Sequence, residues 1–176
     1  MCHTCRFTSW APTITHVEIV ESAALDDARV LLAEYREWVI AASRTAGLDP
    51  ETLRSHYFHD DSLLGPFAPP DGCLLLARAE GEPIGIVGFE RLDDRACEMK
   101  RLYVRPSGRG LGAARALVTR LLEEAHSYEE MRLETRTFMP EAIALYASLG
   151  FAPCAAFHEI PESFRAATRF LSRRLQ

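Results

Sequence analysis

Apolar residues recur along the chain with two different periods, and the change from one period to the other predicts the order of strands and helices. A β-branched run at 14–20 indicates an opening strand, and apolar spacings of three and four over 25–42 predict a helix with one buried face. A second, weaker helix is predicted over 50–62. The three-four spacing returns over 111–125, and a last helix is predicted between Pro140 in its first turn and Gly150 just past its end.

Short strand-like runs joined by tight turns occupy the middle of the chain. Runs at 73–78, 84–92 and 97–104 are close enough together to predict an antiparallel meander. Further strands are predicted at 131–135, 151–157 and 167–171. The resulting order is strand, two helices, three strands, helix, strand, helix and two strands. It predicts an α+β (mixed α/β) fold, in which helices flank a central sheet.

Length and charge limit the number of domains and the kinds of partner. A chain of 176 residues, 48% of them hydrophobic, is expected to form a single domain over 13–176, with residues 1–12 as an N-terminal extension. Its net charge of −5 argues against nucleic acid as a partner. The apolar runs are far shorter than the about 20 residues of a membrane helix, and no secretory signal is recognised. We therefore predict a cytoplasmic protein with no membrane partner.

The five cysteines predict free thiols rather than a disulfide framework or a metal centre. Cys73, Cys97 and Cys154 lie in apolar, strand-like surroundings, where free cysteine packs as a small hydrophobic residue. Cys2 and Cys5 have the spacing of a ligand pair, but no second pair at zinc-site spacing follows them. We expect no metal cofactor.

A glycine-rich turn connects the predicted strand at 97–104 to the helix that follows it. Residues 105–114 read Arg-Pro-Ser-Gly-Arg-Gly-Leu-Gly-Ala-Ala. Glycine lets the backbone approach a ligand closely, and the first N–H groups of a helix have no acceptor within the helix. These donors, together with the positive end of the helix dipole, favour a phosphate or pyrophosphate. Alternatively, the glycines serve only a tight turn and close helix packing.

Two other phosphate-binding motifs can be compared with this turn. The Gly-Lys-Ser/Thr ending of a Walker loop is absent, so a nucleoside triphosphatase is excluded on this motif. Gly108-x-Gly110-x-x-Ala113 does fit the dinucleotide fingerprint, with Glu134 in the place of the ribose-binding acid. This NAD-type alternative stays open, although hairpin-linked strands before the loop differ from the parallel βαβ units of that fold.

Three motifs in order resemble the GNAT superfamily of N-acetyltransferases. Residues 109–114 match its acyl-CoA pyrophosphate motif R/Q-x-x-G-x-G/A, residues 98–106 resemble its preceding strand, and residues 142–151 resemble its helix-to-strand signature ending in Gly-Phe. The resemblance implies a GNAT-like mixed, mostly antiparallel sheet and acetyl-CoA as co-substrate. It implies that the coenzyme is bound by Leu102, Val104, Arg109, Gly110, Gly112, Ala113 and Ala114.

The same resemblance implies two catalytic residues. Glu98 occupies the position of a base that removes a proton from the attacking amine, and Tyr146 matches a tyrosine that donates a proton to the departing thiolate. Glu98 could instead be a solvent-facing strand acid paired with Lys100 or Arg101. Tyr146 could be an ordinary packing residue of the helix.

The sequence leaves two further points open. Glu90 and Glu134 are alternative bases to Glu98. Met139 departs from the family pattern, because relatives often carry an asparagine there that contacts the coenzyme and caps the helix. Coenzyme binding is therefore expected to be weaker, or the cap to come from Thr137.

The predicted function is transfer of an acetyl group from acetyl-CoA to a primary amine, by direct attack in a ternary complex. A small-molecule amine is the first expectation, and a protein N-terminus or lysine the second. The resemblance implies an acceptor site lined by the first two helices, the loop at 65–72 and the last two strands, where Asp60, Asp61 and Asp71 could attract a cation. A non-catalytic acyl-CoA sensor is the alternative, since the loop alone needs no base. A homodimer is a common assembly for such sheets.

Overall fold

A computed structural model describes residues 17–21, 25–58 and 67–175 of the chain. Its main elements, in chain order, are β1 (Val17–Glu21), α1 (Leu25–Thr45), α2 (Pro50–Tyr57), β2 (Cys73–Ala79), β3 (Glu82–Arg91), β4 (Ala96–Val104), α3 (Ala113–Glu124), β5 (Glu130–Arg136), α4 (Pro140–Ser148), β6 (Ala152–Pro153) and β7 (Thr168–Arg174). Short 3-10 turns at Pro106–Gly108 and Glu162–Ala167 precede α3 and β7.

The strands form one seven-stranded sheet in the order β1-β2-β3-β4-β5-β7-β6. Strands β2, β3 and β4 make the predicted antiparallel meander. Strands β4 and β5 are parallel, because α3 carries the chain back across the sheet between them. The mixed, mostly antiparallel sheet flanked by helices is therefore confirmed.

Helices cover both faces of the sheet, and the alternation of side chains along the strands supplies a core on each side. Leu75 of β2 packs with Leu117 and the other buried residues of α3. Its neighbours Leu74 and Leu76 face the opposite side and pack with Leu31 of α1. Central strands such as β2 are thus buried on both faces, which explains their nearly continuous apolar sequence.

A β-bulge in β4 changes which side chains face which core. The register with β3 shifts beside Val87, where β4 has one extra residue, and Arg101 adopts a left-handed backbone with φ of 63°. Met99, before the bulge, packs in the core under α3. Tyr103, after it, packs on the side of α1. The bulge therefore directs the side chains of this segment differently from a regular strand.

Strands β4 and β5 separate part-way along their length. Their pairing ends where Met99 lies opposite Leu133, although β4 continues to Val104 and β5 to Arg136. Among the described strands, none pairs with this side of β4 beyond Met99. The sheet consequently has a V-shaped opening near its centre.

The segment that follows α4 differs most from the sequence prediction. The predicted strand at 151–157 is wrong for most of its length, since only Ala152 and Pro153 pair with β7. Pro153 lacks the N–H needed for a regular ladder of hydrogen bonds. The backbone N–H of Cys154 still donates to the Phe170 carbonyl, and beyond this residue the chain leaves the sheet. The end of the predicted helix at 50–62, the extension at 1–12 and the Cys2–Cys5 pair lie outside the described residues.

Candidate active site

The turn between β4 and α3 has the backbone conformation that its glycines permit. Gly110 and Gly112 both have φ of 79°, and Gly112 is the N-cap residue of α3. A Cβ atom added at either position would meet no heavy atom within 4 Å. The glycines are therefore needed for the backbone angles, and the space beside them is open.

Free backbone donors line this turn. In the described part of the chain, the N–H groups of residues 110–115 donate to no backbone carbonyl, and Ala116 makes the first such bond, to Gly112 at 3.0 Å. Arg109 beside them is exposed and forms no ion pair with a described residue. The predicted coenzyme-binding residues of this turn thus lie together in an arrangement suited to an anion.

A cavity of about 630 Å³ lies beside the opening between β4 and β5. Helices α1 and α2 contribute to its walls, and Tyr146 reaches it from α4. It brings together residues that are far apart in sequence, including Glu98, Leu102, Glu134, Tyr146 and His158. Leu102 therefore connects the unpaired edge of β4 with this cavity.

Glu98 is buried in the cavity wall and is only 5% exposed. Its Oε2 lies 3.2 Å from Nζ of Lys100, which also lies 2.5 Å from Glu90 Oε1. The alternative of a solvent-facing strand acid is wrong, although the pairing with Lys100 that it included is observed. The lysine lies between two carboxylates that face each other across β3 and β4.

His158 is the residue of this cluster that the sequence did not reveal. Its Nε2 lies 3.1 Å from Glu134 Oε2 and 3.7 Å from Glu98 Oε1, and its Nδ1 lies 3.1 Å from the Glu159 carbonyl. The negative charges of Glu98 and Glu134 raise the pKa of His158 above its usual value, although partial burial opposes the rise. The geometry suits an imidazolium that donates from both nitrogens.

Glu134 is partly buried and already has several partners. It accepts a hydrogen bond from the Tyr57 hydroxyl at 2.8 Å and lies 2.5 Å from Arg136 Nη1. The guanidinium of Arg136 is in turn 4.7 Å from the centre of the Tyr57 ring. These contacts join α2 to β5, so Glu134 helps to hold the cavity wall in place.

Tyr146 is buried against the core and also lines the cavity. Its ring packs edge-on against Phe151 with the ring centres 5.9 Å apart, and burial raises the pKa of its hydroxyl. None of the described residues forms a hydrogen bond with this hydroxyl. The residue therefore packs as expected of a helix residue, and its proton remains available for donation.

Comparison with known proteins shows the family. The model of the acetyltransferase (GNAT) family matches residues 31–151. The chain belongs to the GNAT acetyltransferase family. An uncharacterized N-acetyltransferase of Schizosaccharomyces pombe is 35% identical over 144 residues, covering 78% of this chain and 82% of the relative. The IAA acetyltransferase of Azospirillum brasilense is 31% identical over 146 residues, covering 81% of this chain and 88% of the relative.

Solved structures agree on the fold. The PaiA N-acetyltransferase of Thermoplasma acidophilum, crystallised in complex with coenzyme A, has a TM-score of 0.64 and 17% identity, and the match covers 91% of this chain and 99% of that one. The family model and the relatives named N-acetyltransferases show that the chain is an acyl-CoA-dependent N-acetyltransferase rather than an NAD-type binding protein. None of the described helices is long and apolar enough to cross a membrane.

In this GNAT acetyltransferase, two predicted details differ in the structure. Met139 is the N-cap residue of α4, and no side chain among the described residues caps the helix, so the alternative of a cap from Thr137 is wrong. Asp71 lies outside the cavity lining and pairs with Arg91 at 3.4 Å. Asp60 and Asp61 lie outside the described residues.

Proposed function

We propose that this enzyme transfers an acetyl group from acetyl-CoA to the primary amine of a small molecule, by direct attack in a ternary complex. The observation that carries the proposal is the cavity beside the β4–β5 opening, lined by Glu98 from the sheet and Tyr146 from α4. A potential base and a potential acid thus line one space that the free edge of β4 also reaches.

The coenzyme would be held mainly by backbone groups. The free N–H groups at 110–115 suit its diphosphate, with Arg109 adding positive charge. The main chain at Leu102 and Val104, on the unpaired side of β4, suits the amide groups of its pantetheine arm. The distance from Glu98 to Val104 is at most about 20 Å at ~3.3 Å per strand residue, since the bulge shortens the strand, and a long flexible acyl carrier can span it. Acetyl-CoA supplies the activated acetyl thioester.

Glu98 is proposed as the base of the reaction. An amine is protonated near neutral pH and must lose a proton before it can attack a thioester. Glu98 accepts this proton, directly or through a water molecule. Lys100 and His158 contact its two oxygens and hold the carboxylate in one orientation, so we regard both as positioning residues.

Tyr146 is proposed as the proton donor. As the bond between nitrogen and the acetyl carbon forms, the bond between carbon and sulfur breaks, and the sulfur carries away the electron pair. Tyr146 donates its hydroxyl proton toward that sulfur. Its raised pKa keeps the hydroxyl protonated at neutral pH, so the donor is available in every catalytic cycle.

The size and walls of the cavity support a small acceptor. About 630 Å³ is within the usual range for pockets that bind small molecules. A protein N-terminus or a lysine side chain remains the second expectation. The cytoplasmic location, the homodimer and the domain limits of 1–12 and 13–176 stay predictions from the sequence.

The proposed function is tested by measuring thiol release from acetyl-CoA in the presence of amines, amino acids and peptides. We expect release that depends on a small primary amine, with the N-acetylated product identified by mass spectrometry. Release only with peptides would contradict the small-molecule acceptor. No amine-dependent release with any acceptor would contradict the proposed reaction.

A further inference from the structure

Arg101 is a basic residue of the cavity lining that the proposed acetyl transfer does not use. The neighbouring cations are neutralised, since Lys100 lies 2.5 Å from Glu90 and Arg136 lies 2.5 Å from Glu134. Arg101 lines the same cavity but contacts no carboxylate among the residues that the structure describes. Its side chain is partly buried, so this positive charge faces the cavity without a counter-charge from the described chain.

The β-bulge places the guanidinium of Arg101 between α2 and the cavity. Its backbone φ of 63° is unfavourable for a residue other than glycine, and such strain is most often kept at functional positions. The guanidinium lies 4.7 Å from the centre of the Phe58 ring and 5.9 Å from that of Tyr35. Its Nη2 donates to the Tyr57 carbonyl at 3.1 Å. A guanidinium has five N–H groups, so donors remain for a ligand.

We propose that the acceptor carries a carboxylate as well as its amine, and that Arg101 binds this carboxylate. The proposal rests on the proposed acetyl transfer, because the amine is placed at Glu98. A planar guanidinium stacked on aromatic rings presents its edge to a carboxylate, with which it forms paired, charge-assisted hydrogen bonds. Arg101 is thus a substrate-binding residue that selects amino acids over simple amines.

The position of Tyr57 indicates the size of the acceptor. Its carbonyl accepts from Arg101, and its hydroxyl donates to Glu134 in the acidic cluster at 2.8 Å. Tyr57 therefore contacts both the guanidinium and the acidic cluster, and its length limits how far apart the two can lie. A small amino acid can place its amine near one end and its carboxylate near the other. Aromatic rings of Tyr35 and Trp38 in the lining would contact its apolar part.

The test compares each acid with the amine that lacks only the carboxylate. The pairs are phenylalanine with 2-phenylethylamine, methionine with 3-(methylthio)propylamine, and 4-aminobutyrate with propylamine. For the wild-type enzyme we expect kcat/KM to be at least 10-fold higher for at least one acid than for its partner. In Arg101→Gln, kcat/KM for that acid falls at least 10-fold, mainly through KM, while the value for the partner amine changes less than 3-fold.

Two further variants separate binding from folding. Arg101→Lys keeps the charge and is expected to recover part of the lost affinity for the acid. Arg95→Gln removes an exposed arginine outside this cavity, where it pairs with Glu129, and is expected to leave both substrates unaffected. The KM for acetyl-CoA should be unchanged in all three variants. An equal loss on acids and amines in Arg101→Gln would show a structural role and overturn the proposal, as would a wild-type preference for the simple amines.

A binding measurement keeps this proposal separate from the catalytic one. If no acceptor is acetylated, the proposed function fails, and calorimetry with coenzyme A present still tests Arg101. N-acetylphenylalanine should then bind the wild type at least 10-fold more tightly than it binds Arg101→Gln. N-acetyl-2-phenylethylamine should bind both equally. Equal binding of the acid to both proteins would overturn the role of Arg101.

Discussion

His158 Nε2 lies 3.1 Å from Glu134 Oε2, and this contact connects the irregular segment before β7 to a partly buried acid of β5. A second carboxylate, that of Glu98, lies 3.7 Å from the same nitrogen. The imidazolium therefore compensates negative charge in the wall of the cavity. This relationship makes both the stability and the active-site geometry depend on the protonation of one histidine.

Stability should depend on His158 in a pH-dependent way. The pKa of His158 in the folded protein is raised above 6.5. Its contribution to stability is therefore fully present below its pKa in the unfolded chain, and it is lost as the pH rises through its pKa in the folded protein. We expect His158→Gln to lower Tm more at pH 6 than at pH 9. Thermal unfolding of both proteins across this range measures the difference. His126→Gln, an exposed histidine at the end of α3, is the control. A difference that is constant with pH would contradict the charged state of His158.

Removing the carboxylate of Glu98 should slow the reaction without weakening the binding of the coenzyme. We expect Glu98→Gln to lower kcat by about 10²-fold or more, with little change in the KM for acetyl-CoA. Glu130→Gln changes another strand carboxylate, paired with Arg132, and should retain activity. If Glu90→Gln or Glu134→Gln removes activity while Glu98→Gln keeps it, another acid is the base.

Catalysis should depend on the hydroxyl of Tyr146, whereas the stability of the fold should depend on its ring. Tyr146→Phe keeps the contact with Phe151, so Tm should change little, while kcat falls about 10²-fold. Tyr128→Phe is the control for kcat, because this tyrosine is also buried and packs edge-on against Phe89 outside the cavity. It also removes a hydrogen bond to the Asp71 carbonyl, so we expect it to lower Tm without changing kcat. Steady-state kinetics and thermal unfolding of both variants measure these effects. An unchanged kcat in Tyr146→Phe would leave this residue with a packing role only.

The turn before α3 can be tested with a pair of equally strained glycines. Gly112→Ala forces a side chain into a left-handed backbone at φ of 79°, at a cost of about 1 to 2 kcal/mol. Gly47→Ala does the same at φ of 76° beyond the end of α1, and a Cβ meets nothing within 4 Å at either site. We expect both to lower Tm similarly, and only Gly112→Ala to raise the KM for acetyl-CoA. An equal effect on KM would show that the turn does not bind the coenzyme.

Most of the fold could be predicted because its signals are local. The apolar periods of the helices, the tight turns of the meander and the glycines at 110 and 112 each act over a few residues. The buried position of Glu98 could not be predicted in the same way. Its burial depends on Lys100 and on a histidine 60 positions further along the chain, which only the tertiary fold brings together.

The roles of Arg101 and His158 depend on backbone irregularities that have no sequence signal. Arg101 occupies a left-handed position of a bulge, where a glycine or asparagine would have indicated one. His158 directly follows the segment 151–157, whose apolar residues predict a strand, although the chain leaves the sheet after Cys154. Both side chains reach the cavity because the regular pattern is broken.

The most direct test of the account is a crystal structure of the enzyme with coenzyme A. We predict diphosphate oxygens at about 3 Å from backbone nitrogens within residues 110–115, and the pantetheine arm along β4 beyond Met99, with its sulfur facing Tyr146. A coenzyme bound elsewhere, or a diphosphate held only by side chains away from this turn, would contradict it.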